Sequence, residues 1–200
     1  MSKMVKLVLA SRNKKKIYEL RGLLKQELGN EIEVLSLDDV GIYGEIEENG
    51  KSFEENAVLK ASVPAKYGYI GIADDSGICI EALNWEPGIY SARYSGGDDE
   101  DNNDLVLEKM KDKENRTAKY VCAVACVFPD HKDDFVVKGE CYGKILYERC
   151  GDKGFGYDPL FYYEPFGKTF AEIDLAKKNE VSHRGVAMRH FVNKLSKVLK

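Results

Sequence analysis

From Tyr69 to Gly77 the chain reads Tyr-Ile-Gly-Ile-Ala-Asp-Asp-Ser-Gly, an apolar run that meets two adjacent carboxylates, a hydroxyl and a glycine. Tyr69 to Ala73 has the length and character of a buried strand, and the polar residues after it mark its end. The rest of the chain has to be organised around this stretch. Adjacent carboxylates repel, so a strand tip bearing both is easier to hold where a cation or a proton-transfer role awaits them. The same residues also suit a plain polar turn opening a hairpin into Ile78 to Leu83. Taken alone they leave both readings open.

Composition narrows the class of protein. Two hundred residues, 44% of them hydrophobic, suffice for one large domain with a sizeable core. The net charge of -4 argues against a nucleic-acid polymer as partner, because that affinity rests on clustered Lys and Arg. Cys79, Cys122, Cys126, Cys141 and Cys150 form an odd set without Cys-x-x-Cys spacing, which suits reduced, packed thiols in a cytoplasmic protein. Cysteines and the three histidines show no paired spacing, so zinc is disfavoured while a hard, oxygen-bound metal stays open. The first residues lead into a short strand-like run, Val5 to Ala10, without a signal-type apolar region, and no stretch reaches the roughly 18 apolar residues of a membrane span.

Taken in order, the Val5 to Ala10 strand meets Ser11-Arg12-Asn13-Lys14-Lys15-Lys16, and a helix follows with Ile17, Leu20, Leu23 and Leu24 on one face. Hydroxyl, amide, ammonium and helix-start N–H groups together form a possible phosphate cradle; equally, Ser11 or Asn13 could cap the helix above a solvated lysine face. Glu31 to Leu37 reads as a strand, Gly44 to Gly50 as an acidic loop, and Ser52 with Glu55 as a capping box opening a helix that carries Lys60. Asn84 to Gly88 reads as a turn, and Asp98 to Asp112 as a polar helix with Leu105, Leu107 and Met110 inward. Thr117 to Phe128 and Asp134 to Tyr142 read as a hairpin extended by Lys144 to Tyr147. Gly154 to Pro159 is an aromatic, glycine-bearing loop in which Phe155 or Tyr157 could stack on a planar base. Lys178 to Arg184 opens one final helix with Val186, Ala187, Phe191, Val192, Leu195 and Val198 inward. No linker or repeat interrupts the chain, so residues 1–200 are taken as a single domain.

Seven segments then form an ordered set: Ser11 to Lys16, Phe53 to Ala57, Ala73 to Gly77, Pro87 to Tyr94, Gly154 to Pro159, Thr169 to Glu172 and Ser182 to Arg184. In that order they resemble the signatures of the Ham1/inosine triphosphate pyrophosphatase family, over essentially the whole chain. The resemblance implies an α/β fold, a mixed central sheet with flanking helices, elongated and two-lobed, with the site in the cleft between lobes. It implies hydrolysis of noncanonical purine nucleoside triphosphates (ITP, dITP, XTP) to monophosphate and pyrophosphate with Mg2+, in a cytoplasmic homodimer that cleanses the nucleotide pool. Two departures stand out: Arg12 where many relatives carry Gly, and Asn84-Trp85-Glu86 where a Gly-containing turn is common.

Carried onto this sequence, the resemblance makes Asp75 the general base and places magnesium on Glu48, Asp74 and Asp75, with Glu47 competing for the place of Glu48. Ser11, Arg12, Asn13, Lys14, Lys15, Lys16 and Ser76 would bind the triphosphate, with Lys60 and Arg93 in support. Phe155 would stack on the base, Gly156, Tyr157 and Asp158 would shape its pocket, and Lys178, His183 and Arg184 would contact the nucleotide. Two other functions fit the same residues: a nucleotide-binding sensor that has lost catalysis, and a phosphohydrolase with different nucleotide specificity.

Overall fold

Alternating apolar strands and amphipathic helices account for most of the secondary structure. The computed structural model describes residues 5–12, 14–28 and 32–199, and within the first helix it leaves several side chains undescribed, including Lys15, Lys16, Leu20 and Leu23. The elements run β1 (Val5–Leu9), α1 (Lys14–Leu28), β2 (Ile32–Ser36), α2 (Phe53–Ala65), β3 (Ile70–Ile80), α3 (Asp99–Met110), β4 (Thr117–Val127), β5 (Phe135–Ile145), β6 (Phe161–Tyr163), β7 (Lys168–Thr169), α4 (Leu175–Val181) and α5 (His183–Val198). The strands form one sheet in the order β2-β1-β3-β4-β5-β6-β7. β1 pairs in parallel with β2 and β3, whereas β5–β6 and β6–β7 are antiparallel, so the sheet is mixed, as expected.

β4 lies fourth of the seven strands, and its apolar stretch from Val121 to Val127 is buried throughout. A strand covered on both faces loses the alternation of a half-exposed one, which is why this run reads as nearly continuous Val, Ala and Cys. All five cysteines are free thiols. Burial pushes the Cys126 and Cys141 thiols up to about 12, leaving them protonated and inert as nucleophiles.

Chain contacts divide the molecule into two compact units. One comprises the chain up to Asp75 together with Ala123–Lys138 and Ala187 onward; the other comprises Ser76–Cys122 and Gly139–Val186. The first has Leu7, Leu9, Leu24, Ile72, Ala57 and Phe191 in its core. The second is built on Ile78, Ile80, Val106, Met110, Tyr120, Leu160, Phe161 and Phe170. Each fully buried side chain of this size contributes about 1.5–3 kcal/mol relative to exposure. No described helix is long and apolar enough to cross a membrane.

Three expectations are corrected. The polar residues at 74–77 do not make a turn: β3 runs without a break from Ile70 to Ile80, and Ile78 to Leu83 is the tail of that strand plus a short 3₁₀ turn (Glu81–Leu83) instead of a separate partner strand. The strand stays extended because its polar groups find partners, as where the Ile78 N–H donates to Ser91 Oγ at 2.9 Å. The final helix is two helices, α4 and α5, separated at Ser182, whose extended backbone (φ -66°, ψ 156°) cannot continue a helix. In α3 the inward residues are Val106 and Met110 with Asn102 and Asn103, while Leu105 and Leu107 are half-buried. The two asparagines tolerate burial because their amides bond the backbone of Ala92, Ser95 and Gly156.

The Asn84 to Glu86 turn forms as expected, with Asn84 (φ 54°) and Trp85 (φ 67°) both left-handed. A position of this kind favours glycine, and this chain carries tryptophan there instead. Ser52 caps α2 by accepting from the Glu55 N–H at 3.1 Å, but the Glu55 carboxylate turns to the Lys51 N–H at 2.7 Å instead of closing the box.

Candidate active site

In the first unit, helix α2 delivers Asn56 and Lys60, one turn apart and therefore on one face, to the edge of β3. Close helix–strand packing is possible because Gly71 has no side chain: a Cβ there would lie 1.9 Å from the Ala61 carbonyl oxygen. Lys60 Nζ sits 3.2 Å from Asp75 Oδ1 and 3.2 Å from Glu48 Oε2. Asn56 Nδ2 donates to Asp75 Oδ2 at 3.2 Å, while Asn56 Oδ1 accepts from the Gly50 N–H at 2.8 Å. One asparagine thus ties the acidic loop to the strand, and both Asp75 oxygens have donors that fix the carboxylate plane. Of the two loop acids left open by the sequence, Glu48 is the one that pairs with Lys60, although both are exposed residues of the loop.

Asp74 and Asp75 are only 3% and 7% exposed. Burial by itself would lower the pKa of the Lys60 ammonium, but the surrounding charges of Asp75, Asp74 and Glu48 outweigh it and hold the pKa above its usual value. Lys60 is the cation that the paired carboxylates called for. Among the described residues no three acidic, histidine or cysteine side chains are gathered as a ready cage. Glu48, Asp74 and Asp75 nonetheless offer only oxygen donors, the chemistry that suits a hard divalent cation.

The expected phosphate turn is partly described. Ser11 is half-buried beyond β1, where the preceding Ala10 N–H bonds Ile72 O at 2.8 Å, and Lys14 is exposed at the start of α1. Arg12 donates to the carbonyls of Ile42 (3.3 Å) and Gly44, so its guanidinium holds the start of the acidic loop. Asn13 lies outside the described residues, as do the side chains of Lys15 and Lys16.

In the second unit a different chemistry is assembled. Lys178, His183 and Arg184 are 4%, 5% and 2% exposed, an unusual depth for cationic residue types. Lys178 Nζ pairs with Asp158 Oδ2 at 2.7 Å, and the same oxygen accepts the Phe155 N–H at 3.0 Å. Lys178 Nζ lies 4.9 Å from the Phe155 ring centroid and Arg184 Cζ 5.6 Å from it, so two cations flank one half-buried ring. Arg184 also donates to Ser76 Oγ at 3.2 Å. Gly154 (φ 73°) makes the loop possible, since a Cβ would stand 2.1 Å from Asp158 Oδ2. Gly156 is held at both ends, its N–H by Asp99 (2.9 Å) and its carbonyl by Asn103 (3.0 Å). Tyr157 belongs to the core, its hydroxyl donating to Ser91 O at 2.6 Å, and Arg93 is exposed with its guanidinium over the Tyr90 ring.

Residues 7–194 match the Ham1 family. The chain belongs to that family. It is 43% identical over 201 residues to a dITP/XTP pyrophosphatase of Bacillus cereus, covering 98% of this chain and 97% of that protein. It is 46% identical over 190 residues to a dITP/XTP pyrophosphatase of Geobacter sulfurreducens, covering 92% and 94%. The fold is similar to a HAM1 protein from Coxiella burnetii with a TM-score of 0.89 at 36% identity, covering 97% of this chain and 100% of that one. The mixed seven-stranded sheet is thus the fold of the Ham1 family.

Three residues that hold these clusters together carry no local signal in the sequence: Asn56, which bonds Asp75, Tyr120, which bonds Asp158, and Gly185. Asn56 lies in the Phe53 to Ala57 segment, where an amide on a helix has no local mark of its partner. Tyr120 looked like one more residue of an apolar strand. Gly185 follows Ser182-His183-Arg184, and a Cβ on it would lie 1.8 Å from the Asn179 carbonyl oxygen, so the α4–α5 junction closes only around a glycine. Gly185→Ala therefore costs about 3 kcal/mol through overpacking against backbone. The melting temperature is expected to fall by about 6–12 °C, at the 2–4 °C per kcal/mol of a chain this size. A thermal melt within about 2 °C of wild type would show that the junction does not depend on this contact.

Proposed function

We propose that this protein hydrolyses ITP, dITP and XTP to the nucleoside monophosphate and pyrophosphate. The observation that carries the reading is the buried pair Lys178 and Arg184 flanking the Phe155 ring, with His183, also buried, next to Arg184 in the chain. Hypoxanthine and xanthine present an acceptor at the 6-position where adenine presents an amino donor. Donors meeting that position pair with the former and are left unpaired by the latter, a mismatch that supports large discrimination. Asp158, the nearby carboxylate, already accepts from Lys178 and Phe155, which takes up acceptor capacity that adenine's amino group would need.

In the reaction, a water attacks the α-phosphorus, the bond from that phosphorus to the bridging oxygen breaks, and pyrophosphate leaves with the bonding electrons. Asp75 takes the water's proton, oriented for it by Lys60 and Asn56. Ser11, Asn13, Lys14, Lys15, Lys16 and Ser76 bind the triphosphate, with Arg93 and Lys60 in support. Glu48, Asp74 and Asp75 would hold a divalent cation, Mg2+ by preference for oxygen ligands, which when bound neutralises charge on the phosphates. The working assembly is a homodimer, which the family resemblance supports, in the cytoplasm, which the free thiols support.

Turnover of a nucleoside triphosphate panel with magnesium, resolving pyrophosphate from orthophosphate, tests this directly. Pyrophosphate from ITP and XTP, with ATP turned over far more slowly, is the expected result; orthophosphate as first product, or ATP equal to ITP, would refute it. His183→Ala should lower the ITP-to-ATP ratio of kcat/KM by about tenfold, the scale of one lost hydrogen bond to a charged or buried partner. An unchanged ratio places selectivity in other groups.

A further inference from the structure

Tyr120, in the buried run of β4, is a residue the reaction above does not use. Its ring stacks on the imidazole of His183, with centroids 4.5 Å apart and planes 10° apart. It is also nearly parallel to Phe170 (3°, 5.9 Å) and tilted against Phe161 (4.5 Å), so core rings hold the tyrosine in its turn. The hydroxyl donates to Asp158 Oδ1 at 3.3 Å. The other oxygen of that carboxylate takes Lys178 Nζ and the Phe155 N–H, which means one tyrosine contacts His183 directly and reaches Lys178 and Phe155 through Asp158. Only 6% of the residue is exposed, and burial first, then the charge of Asp158, raises the phenol's pKa well above its ordinary value, so it stays a donor at any working pH.

We propose that Tyr120 is the positioning residue for base selection: it fixes the plane of the His183 ring by stacking and the Phe155 loop by its bond to Asp158. The proposal rests on the assignment of His183, Lys178 and Phe155 to the base. A buried aromatic ring has few rotamers, and a hydrogen bond at its far end removes the remaining freedom, so the donors meet the base without being ordered at the moment of binding. A tyrosine acting only as core filler would affect every nucleotide alike. A positioning tyrosine affects the nucleotides according to their 6-substituent.

Tyr120→Phe keeps the ring and removes the hydroxyl; Tyr120→Leu removes the stack as well. Steady-state kinetics with ITP and ATP on the full-length chain, beside a thermal melt, should show the ITP-to-ATP ratio of kcat/KM falling about fivefold in Tyr120→Phe, mainly through KM for ITP. In Tyr120→Leu the ratio should fall at least about tenfold. If Tyr120→Leu does not fold, Tyr120→Phe decides alone. A ratio within twofold of wild type in folded Tyr120→Phe overturns the proposal, even if both rates drop together. Failure of the functional reading would be seen separately, as wild-type protein that does not prefer ITP over ATP.

Discussion

Asp75→Asn is expected to reduce pyrophosphate release from ITP by about 10²–10⁴-fold, the range that a positioned general base contributes. Asparagine occupies nearly the same volume, so the change removes the proton acceptor while preserving the packing of β3 on α2. It does alter the bonding. Lys60 and Asn56 both donate to Asp75, and an amide offers one oxygen and one NH2 group, so one of the two bonds becomes a donor–donor contact. A stability loss of about 1–3 kcal/mol accompanies the change for that reason. Nucleotide binding, measured by calorimetry at a temperature where the variant is folded, should stay within about tenfold of wild type, since the base-side residues are untouched. If kcat remains above about a tenth of wild type, Asp75 does not act as the base and its position on Lys60 is electrostatic only.

Lys60→Met should have the largest effect on stability. The ammonium is buried, with Asp75 and Glu48 each 3.2 Å away. Methionine is unbranched and one heavy atom shorter and supplies no charge, so Asp75, almost fully buried, loses its counter-charge while Glu48 turns to solvent. Breaking a buried pair by deleting one partner costs about 3–5 kcal/mol. The double variant Lys60→Met/Asp75→Asn should recover part of this, because neither half then leaves a charge stranded; simple additivity would argue against the pair as the source. The pH dependence follows from the raised pKa of Lys60 in the folded state. A cation whose folded pKa exceeds its unfolded value contributes fully below the unfolded pKa and loses its contribution as pH rises through the folded one. On the alkaline side, the stability gap between wild type and Lys60→Met should therefore persist through neutral pH and narrow in strongly alkaline solution.

The clusters around Asp75 and Asp158 share one physical device, a buried charge held by several partners. Asp75 is held by Lys60 and Asn56, and Asp158 by Lys178, Tyr120 and the Phe155 N–H. Each carboxylate organises a loop: Asn56 bonds the backbone of the acidic loop at Gly50, and Asp158 closes the loop that carries Phe155. Such networks are costly when partly satisfied, so single deletions within them are expected to show in activity and in stability together.

What the sequence determined by itself was local. The apolar runs of β1 and β4, the Ser52 cap, the turn at Asn84 to Glu86 and the polar, glycine-bearing loops follow from periodicity, capping and turn chemistry within a few residues. The ordered motifs likewise singled out Asp75, Phe155, Lys178, His183 and Arg184. Only the tertiary structure decided what these residues contact. Asp74 and Asp75 read locally as the polar end of a strand, yet β3 continues through them because α2, fifteen residues away in the chain at Lys60, supplies the compensating cation. Glu48 was separated from Glu47 by one ammonium, which no pattern of glutamates in a loop could reveal. Tyr120 was invisible for the same reason: its hydroxyl meets Asp158 across 38 residues of chain, and a phenol in an apolar strand has no local mark that distinguishes a packed ring from one that holds a site in place. Burial makes these long-range pairings strong, and burial is a property of the folded chain, not of any segment in it.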